Sequence, residues 1–365
     1  MKGVLKSLSL GLLLLVAACA VPEAPRNAAT GKPIEEITGR WKPVPVNDTL
    51  LAADGVKLPM RVWLPEDGAP IKAVIVALHG FNDYSNAFAV PAKDWATHGI
   101  ATYAYDQRGF GDTAERGFWV GRKQLDEDVA TATHMAHQRH PGLPVYLLGE
   151  SMGGAIIVSA VTGEAGAKRP EVDGIILSAP AVWGRETMNV VERTALWVVK
   201  KVAPRMTLTG SGLKIWPSDN IEMLRGLSRD PMVIKETRVD AIDGLVDLMS
   251  AALKVAPDVQ VPMLLLYGEK DQLVPKVPTK LMIERLPTKA AFTRRIAWYP
   301  KGYHMLLRDL EAPVVLNDIE AWIDNHNAPL PSAADLNASK ILFAQSAKPV
   351  ETQAKQIQAM QTQAD

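Results

Sequence analysis

Six consecutive residues, Gly149-Glu150-Ser151-Met152-Gly153-Gly154, follow directly on the apolar run Val145-Tyr146-Leu147-Leu148 and precede a stretch rich in Ala, Ile and Val at 155–161. A short buried-strand pattern that runs through Gly-x-Ser-x-Gly into a helix leaves a chain few ways to fold. The glycines let the backbone reverse sharply. The turn lifts the Ser151 hydroxyl clear of the strand, at the positive end of the helix that follows. Gly-x-Ser-x-Gly alone is a weak signal. Between a strand and a helix it makes Ser151 a candidate nucleophile. The backbone N–H of Met152, the next residue, becomes a candidate oxyanion donor.

A serine hydroxyl is a poor nucleophile until a base takes its proton, and the base must be oriented by a third group. Met263-Leu264-Leu265-Leu266-Tyr267-Gly268-Glu269-Lys270-Asp271 reads as a buried strand ending in a glycine turn, with the Asp271 carboxylate just beyond. Further on, Lys301-Gly302-Tyr303-His304-Met305 follows another strand-like run and offers His304 as the base. Upstream, Ala73-Val74-Ile75-Val76-Ala77-Leu78-His79-Gly80-Phe81 is an apolar strand ending in His-Gly. Apolar residues at every position mark a central strand, and the Phe81 N–H after it is the second candidate oxyanion donor. Asp243 and Asp247, at helical spacing, compete weakly for the acid's place and read as solvated. Glu269 lies two residues early and is expected to point elsewhere. His134, His137 and His140 fall at three-residue steps on one helix, and a solvated face is expected of them rather than a metal site.

These blocks, together with Asp106-Gln107-Arg108-Gly109-Phe110-Gly111 and His79-Gly80-Phe81-Asn82-Asp83-Tyr84-Ser85, resemble the α/β-hydrolase family. Within it they resemble the monoacylglycerol lipase and lysophospholipase branch, also called serine aminopeptidase-like hydrolases. The order Ser, Asp, His along the chain is the order of that family. The resemblance implies a triad of Ser151, Asp271 and His304, an oxyanion hole at Phe81 and Met152, and a lid inserted before the acid-bearing strand at about 183–261. It also implies that the Asp106 loop is structural, and that neither a cofactor nor a metal is needed. Tyr84 stands where the pattern more often has His, and Thr113 where Ser is usual.

The chain is 47% apolar, and Lys+Arg and Asp+Glu both number 40. Zero net charge gives no support for nucleic-acid binding. One cysteine excludes an intrachain disulfide and a thiol redox pair. Its position is informative. A basic start, Met1-Lys2-Gly3-Val4-Leu5-Lys6, leads into an apolar stretch at 7–16 and then Val16-Ala17-Ala18-Cys19, which resembles a bacterial lipoprotein signal. That resemblance implies removal of 1–18, a lipid anchor on Cys19, and a place in the cell envelope. In a Gram-negative host the anchor would lie in the outer membrane facing the periplasm. Residues 19–46, rich in Pro and Ala, read as a tether.

Strands alternating with helices predict an α/β fold with a mostly parallel sheet covered on both faces, over a domain at 47–327. The lid holds Trp183, Trp197 and Trp216; as a whole it is expected to line an apolar acyl pocket or to touch lipid, while any one of these side chains reads first as part of the lid's own core. Residues 328–365 are rich in Ala, Gln, Lys and Ser and are expected to form a disordered or weakly helical tail. The expected activity is hydrolysis of single-chain acyl esters through an acyl-enzyme. Two rival readings are an amino- or iminopeptidase, which would need acidic lid residues such as Glu186, Glu192, Glu222 or Glu236, and a surface-anchored binding protein with a vestigial triad.

Overall fold

The computed structural model describes residues 45–343 apart from 67, 211–212 and 288–292. The expected signal, Cys19, nearly all of the tether, and the chain beyond 343 lie outside the described residues. The strands are β1 (Asp48–Leu51), β2 (Lys57–Trp63), β3 (Ala73–Leu78), β4 (Ile100–Tyr105), β5 (Val145–Glu150), β6 (Gly174–Ser178), β7 (Thr207–Thr209), β8 (Glu236–Arg238), β9 (Met263–Gly268) and β10 (Arg294–Tyr299). The helices are α1 (Ala89–Thr97), α2 (Arg122–Arg139), α3 (Met152–Thr162), α4 (Val190–Val202), α5 (Ile221–Arg229), α6 (Val239–Val255), α7 (Lys276–Arg285), α8 (Ala312–Asp324) and α9 (Ala334–Phe343).

Eight strands make one sheet in the order β1-β2-β4-β3-β5-β6-β9-β10. Only the β1–β2 and β2–β4 pairings are antiparallel. Successive side chains on a strand point to opposite faces. Thus Val74, Val76 and Leu78 of β3 enter one core with residues of α2, α3, α6 and α7. Ala73, Ile75 and Ala77 enter the other with residues of α1 and α8. This two-sided burial explains why β3, β4, β5 and β9 read as near-continuous apolar runs.

The insertion between β6 and β9 divides differently from the expected lid. Trp183 and most of α6 belong to the main core, with α6 packed on α3. The cap proper is residues 184–238: α4, the β7–β8 ribbon and α5. Asp243, expected to be solvated, is 3% exposed because Arg185 and Lys200 both pair with it. The ordered domain also runs past the expected boundary at 327. Leu330, Ala334 and Ala338 are buried, and α9 packs on β10 with Asp335 bonded to Arg295 at 2.9 Å. Two alanines at i, i+4 give that helix a flat face, which composition alone does not reveal.

The elbow after β5 is set by close backbone packing. A Cβ at Gly153 would sit 2.2 Å from the Leu78 carbonyl oxygen of β3, and one at Gly149 2.4 Å from the Gly153 carbonyl carbon. Backbone cannot yield as a flexible side chain can. Gly153→Ala should therefore destabilise the fold by about 1–3 kcal/mol. Urea unfolding is the check, and an unchanged midpoint would mean that the elbow does not seat on β3 as described.

Candidate active site

Ser151 is the residue between β5 and α3, with φ +54° and ψ −112°. A non-glycine residue held there stores about 1–3 kcal/mol of strain and needs surroundings that enforce it. Its N–H donates to the Ser178 carbonyl at 2.9 Å, and its own carbonyl accepts from Ala181 at 2.9 Å and Ala155 at 3.2 Å. Neighbouring β6 and the first turn of α3 thus clamp both sides of the residue.

The other two predicted residues come from the ends of β9 and β10, which pair in parallel. A Cβ at Gly268 would lie 2.3 Å from the Tyr303 carbonyl oxygen, so the acid and histidine loops meet backbone to backbone. His304 Nδ1 lies 2.8 Å from Asp271 Oδ2. The second Asp271 oxygen accepts the N–H groups of Leu273 at 2.7 Å and Val274 at 3.0 Å. A carboxylate only accepts, so the imidazole carries its proton on Nδ1 and keeps the lone pair on Nε2. Burial by itself lowers the His304 pKa. The charge and hydrogen bond of Asp271, with Glu150 and Asp309 adding to them, outweigh burial and raise it above 6.5. Ser151 and His304 line one cavity.

Gly80 and Phe81 form the facing wall of that cavity. Among the described residues, neither the Phe81 nor the Met152 N–H finds an acceptor within the protein. Buried amides are nearly always paired, so two unpaired donors beside a serine are equipped to hold an oxyanion. His79 braces this loop from behind. Its Nε2 accepts the Gln107 N–H at 3.0 Å, which leaves Nδ1 to donate to the Gly80 carbonyl at 2.8 Å. Burial keeps that imidazole below its usual pKa and neutral.

Arg308, one turn beyond His304, was not singled out by sequence reasoning. It is buried, bonds Asp83 at 2.8 Å and also pairs with Glu150. Asp309 was missed as well. It accepts the Tyr303 N–H at 2.8 Å and the Ser218 hydroxyl at 2.6 Å, and burial pushes its carboxyl up to about 7. A charged pair inside the apolar run 303–310 was the available signal. Asp106 is committed to holding segments together, accepting from Asp112 of its own loop at 2.9 Å and from Ser85 after β3 at 3.0 Å, and pairing with Arg61 of β2 at 3.4 Å. Glu269 turns away to Lys276 and to Trp298 Nε1. His134 and His137 of α2 and His140 just past its end bond separate partners: Gln138, the Glu171 carbonyl and Tyr103. Among the described residues no group of three or more such side chains converges as metal ligands do.

The cavity measures about 60 Å³, and its apolar lining includes Leu245 and Met249 of α6, Leu273, Val274 and Met305. None of the three lid tryptophans lines it. Trp197 is 59% exposed on α4, and Trp183 is part of the main core. Tyr84, the departure from the family pattern, bonds the cap instead. Its hydroxyl donates to Asp230 at 2.6 Å, and its ring packs with Met223, Leu224 and Leu227 of α5.

A base must be neutral to accept a proton, so activity falls as pH drops through the His304 pKa. The acid limb of kcat/KM should lie above pH 6.5, and Asp271→Asn should move it to lower pH while cutting the plateau by several orders of magnitude. An unmoved limb in the variant would mean that the Asp271 charge does not act on His304.

The family model described as "Serine aminopeptidase, S33" matches residues 69–311. The monoacylglycerol lipase of Mycolicibacterium smegmatis is 27% identical over 285 residues, covering 74% of this chain and 94% of that protein. The human monoglyceride lipase is 27% identical over 310 residues, covering 82% and 99%. The crystal structure of a soluble variant of Saccharomyces cerevisiae monoglyceride lipase, in complex with a substrate analog, superposes with a TM-score of 0.62 at 21% identity, covering 78% of this chain and 99% of that one. With its parallel sheet and its elbow between β5 and α3, the chain belongs to the serine aminopeptidase S33 family of α/β-hydrolases, and it is similar to monoacylglycerol lipases over most of its length.

Proposed function

We propose that this protein hydrolyses carboxylic esters of single-chain lipids, of the monoacylglycerol or lysophospholipid type, through an acyl-Ser151 intermediate. The observation that carries this reading is the meeting, in one apolar-lined cavity, of a strained serine, an Asp271-oriented imidazole and Phe81 with its unpaired amide, the unpaired Met152 amide lying next to the serine in the chain. His304 Nε2 takes the Ser151 proton as Oγ attacks the ester carbonyl carbon. The resulting oxyanion sits on the Phe81 and Met152 N–H groups, each worth about 2.7–4 kcal/mol in the transition state. His304 then protonates the leaving alcohol, and the same nitrogen later activates water to release the acid. The likeness to two monoacylglycerol lipases over most of both chains supports the substrate class.

The peptidase alternative needs a free carboxylate to hold an amino terminus. The cavity's two carboxylates, Asp83 and Glu150, are both paired with Arg308. Glu186 pairs with Arg285, Glu222 with Arg225, and Glu192 caps α4. None of the four lid glutamates lines the cavity. Apolar neighbours and spent charges favour an acyl chain over an ammonium group. A cavity of about 60 Å³ is far below the roughly 300 Å³ at which small-molecule sites begin, so an acyl chain enters only as Met249, Met305 and the adjoining cap move aside.

Ser151→Ala should abolish fluorophosphonate labelling and lower turnover of p-nitrophenyl esters by several orders of magnitude. Wild-type kcat/KM should rise from acetyl toward medium acyl chains, since each buried methylene contributes up to about 0.8 kcal/mol. A wild-type profile that peaks at acetyl, or faster cleavage of aminoacyl anilides, would end the lipid-ester reading. Substantial turnover by Ser151→Ala would end the nucleophile assignment.

We also propose that Cys19 carries a lipid anchor that holds the protein in the cell envelope, at the outer membrane facing the periplasm in a Gram-negative host. A multi-chain acyl anchor holds firmly because the contribution of each chain adds. Cys19→Ser should move the protein from the detergent to the aqueous phase on detergent phase separation, and identical partitioning of wild type and variant would sink the proposal.

A further inference from the structure

His304 is held on both sides by bonds that the triad does not include. On its N-terminal side stands the peptide between Gly302 and Tyr303. The Gly302 carbonyl accepts the Lys270 N–H of the acid loop at 2.9 Å, and the Tyr303 N–H donates to Asp309 Oδ2 at 2.8 Å. A peptide unit is planar, so holding its two ends fixes the direction in which the chain enters the base. On the C-terminal side, the Met305 N–H donates at 2.9 Å to the carbonyl of Pro217, in the cap segment just before α5. Ser218, the next residue of that segment, donates its hydroxyl to Asp309 Oδ1 at 2.6 Å.

Asp309 and Ser218 are both buried. Burying a carboxylate is costly unless its oxygens find donors. These oxygens do not cap α8; they turn back to Tyr303 and Ser218. The cap segment is itself anchored. Ser218 Oγ accepts the Asn220 N–H at 3.1 Å, and Asn220 Oδ1 caps α5 by accepting the Met223 N–H at 3.1 Å. A chain of bonds thus runs from the start of α5 through Ser218 and Asp309 to the peptide before His304. Burial pushes the Asp309 carboxyl up to about 7. A hydroxyl both donates and accepts, so the bond to Ser218 survives whether that carboxyl is charged or neutral.

We propose that Asp309 is a positioning residue for the hydrolytic reaction: it seats the backbone of His304 against the cap at Ser218, so that the base is aligned only while the cap segment is in place. This role rests on the reading of Ser151 and His304 as the reacting pair. Asp309 does not line the catalytic cavity. Asp271 orients the imidazole ring, whereas Asp309 fixes the backbone that carries it. The charges that act on His304 are Asp271 from the acid loop, Glu150 from the end of β5 and Asp309, and all three raise its pKa. Arg308 is bonded to Glu150 and Asp83, and Lys270 lies over the Tyr303 ring, 5.0 Å from its centre. Asp219 and Glu150 act on Asp309 in turn and help to keep its carboxyl up. Removing the Asp309 charge while keeping its shape should therefore make His304 less basic without moving it.

The test compares Asp309→Asn, Asp309→Ala and Ser218→Ala in the full chain. In Asp309→Asn the amide oxygen can accept the Tyr303 N–H and the amide nitrogen can donate to Ser218 Oγ, so position is kept and charge is lost. One readout is kcat and KM for a p-nitrophenyl ester across pH. The other needs no turnover: the far-downfield proton resonance of His304 Nδ1–H, assigned by its absence from His304→Gln. Asp309→Ala should lower the plateau kcat by about ten- to a hundredfold with KM nearly unchanged, the cost of a misplaced catalytic group, and should lose the resonance to exchange. Asp309→Asn should keep the resonance, bring the plateau back near wild type and move the acid limb to lower pH. Ser218→Ala should lower kcat by a smaller factor. A folded Asp309→Ala with wild-type kcat would overturn the proposal, as would an unmoved acid limb in Asp309→Asn. Equal losses in the Asn and Ala variants that track their thermal midpoints would make Asp309 a structural residue only and equally end it. Should Asp309→Ala fail to fold, Ser218→Ala with wild-type kcat would overturn the proposal. Should the wild type leave esters uncleaved, the lipid-ester reading falls and the resonance decides alone: its persistence in both Asp309→Ala and Ser218→Ala would sink the positioning role.

Discussion

The Arg308 guanidinium is the interaction on which the arrangement of the catalytic loops depends. It projects from the histidine loop, bonds Asp83 beside the oxyanion loop, and pairs with Glu150 next to Ser151. All three side chains are almost wholly buried. Desolvating such charges costs several kcal/mol apiece, and their attraction offsets that only if the geometry is kept. The cost acts as a constraint. None of the three loops can drift without leaving a buried charge unpaired. One cation serves two anions, and the excess negative charge at Glu150 joins Asp271 in raising the pKa of His304. Loop registration and the electrostatics of the base therefore share a cause.

The cap extends this bracing across the top of the site. Residues 216–220 cross the acid and histidine loops as a strap. The Trp216 N–H donates to Gln272 at 3.0 Å, the Pro217 carbonyl accepts from Met305 at 2.9 Å, and Asn220 donates to the Arg308 carbonyl at 2.9 Å. On the other side, Asn82 bonds Thr237 at 2.7 Å and Tyr84 bonds Asp230. Helix α5 packs its apolar face on Tyr84 and Met305. A cap bonded to both the oxyanion loop and the histidine loop cannot open as one rigid flap without disturbing them. The part of the cap least tied to those loops is α4, with its exposed apolar face.

Much of this was legible in the sequence because the signals are local. A strand, a glycine turn and a helix in succession place Ser151. A strand with a carboxylate or a histidine just past its end places Asp271 and His304. Buried parallel strands show as apolar runs because helices cover both faces, and that alone identifies the sheet's centre. The misreadings have a common origin. The lid as a whole was expected to line an acyl pocket, and Asp243 to be solvated. Hydrophobicity and spacing do not say which neighbour a helix face meets, and Arg185 and Lys200 reverse the expectation for Asp243. The buried face of α9 was hidden by a composition typical of unfolded chains, since two alanines suffice when the backbone of β10 lies close.

The sequence by itself determined the fold class, the family and the order of the candidate serine, aspartate and histidine along the chain, because each depends on residue type and short-range spacing. Only the tertiary structure decided how the site is held and how large it is. The Arg308 bridge joins residues 83, 150 and 308, and the contact between Gly268 and Tyr303 joins the ends of two strands. Such pairings depend on how sheet and helices bring distant segments together. So does the division of the inserted segment into a core helix, which closes the catalytic cavity, and a cap helix, which turns its cations and valines outward.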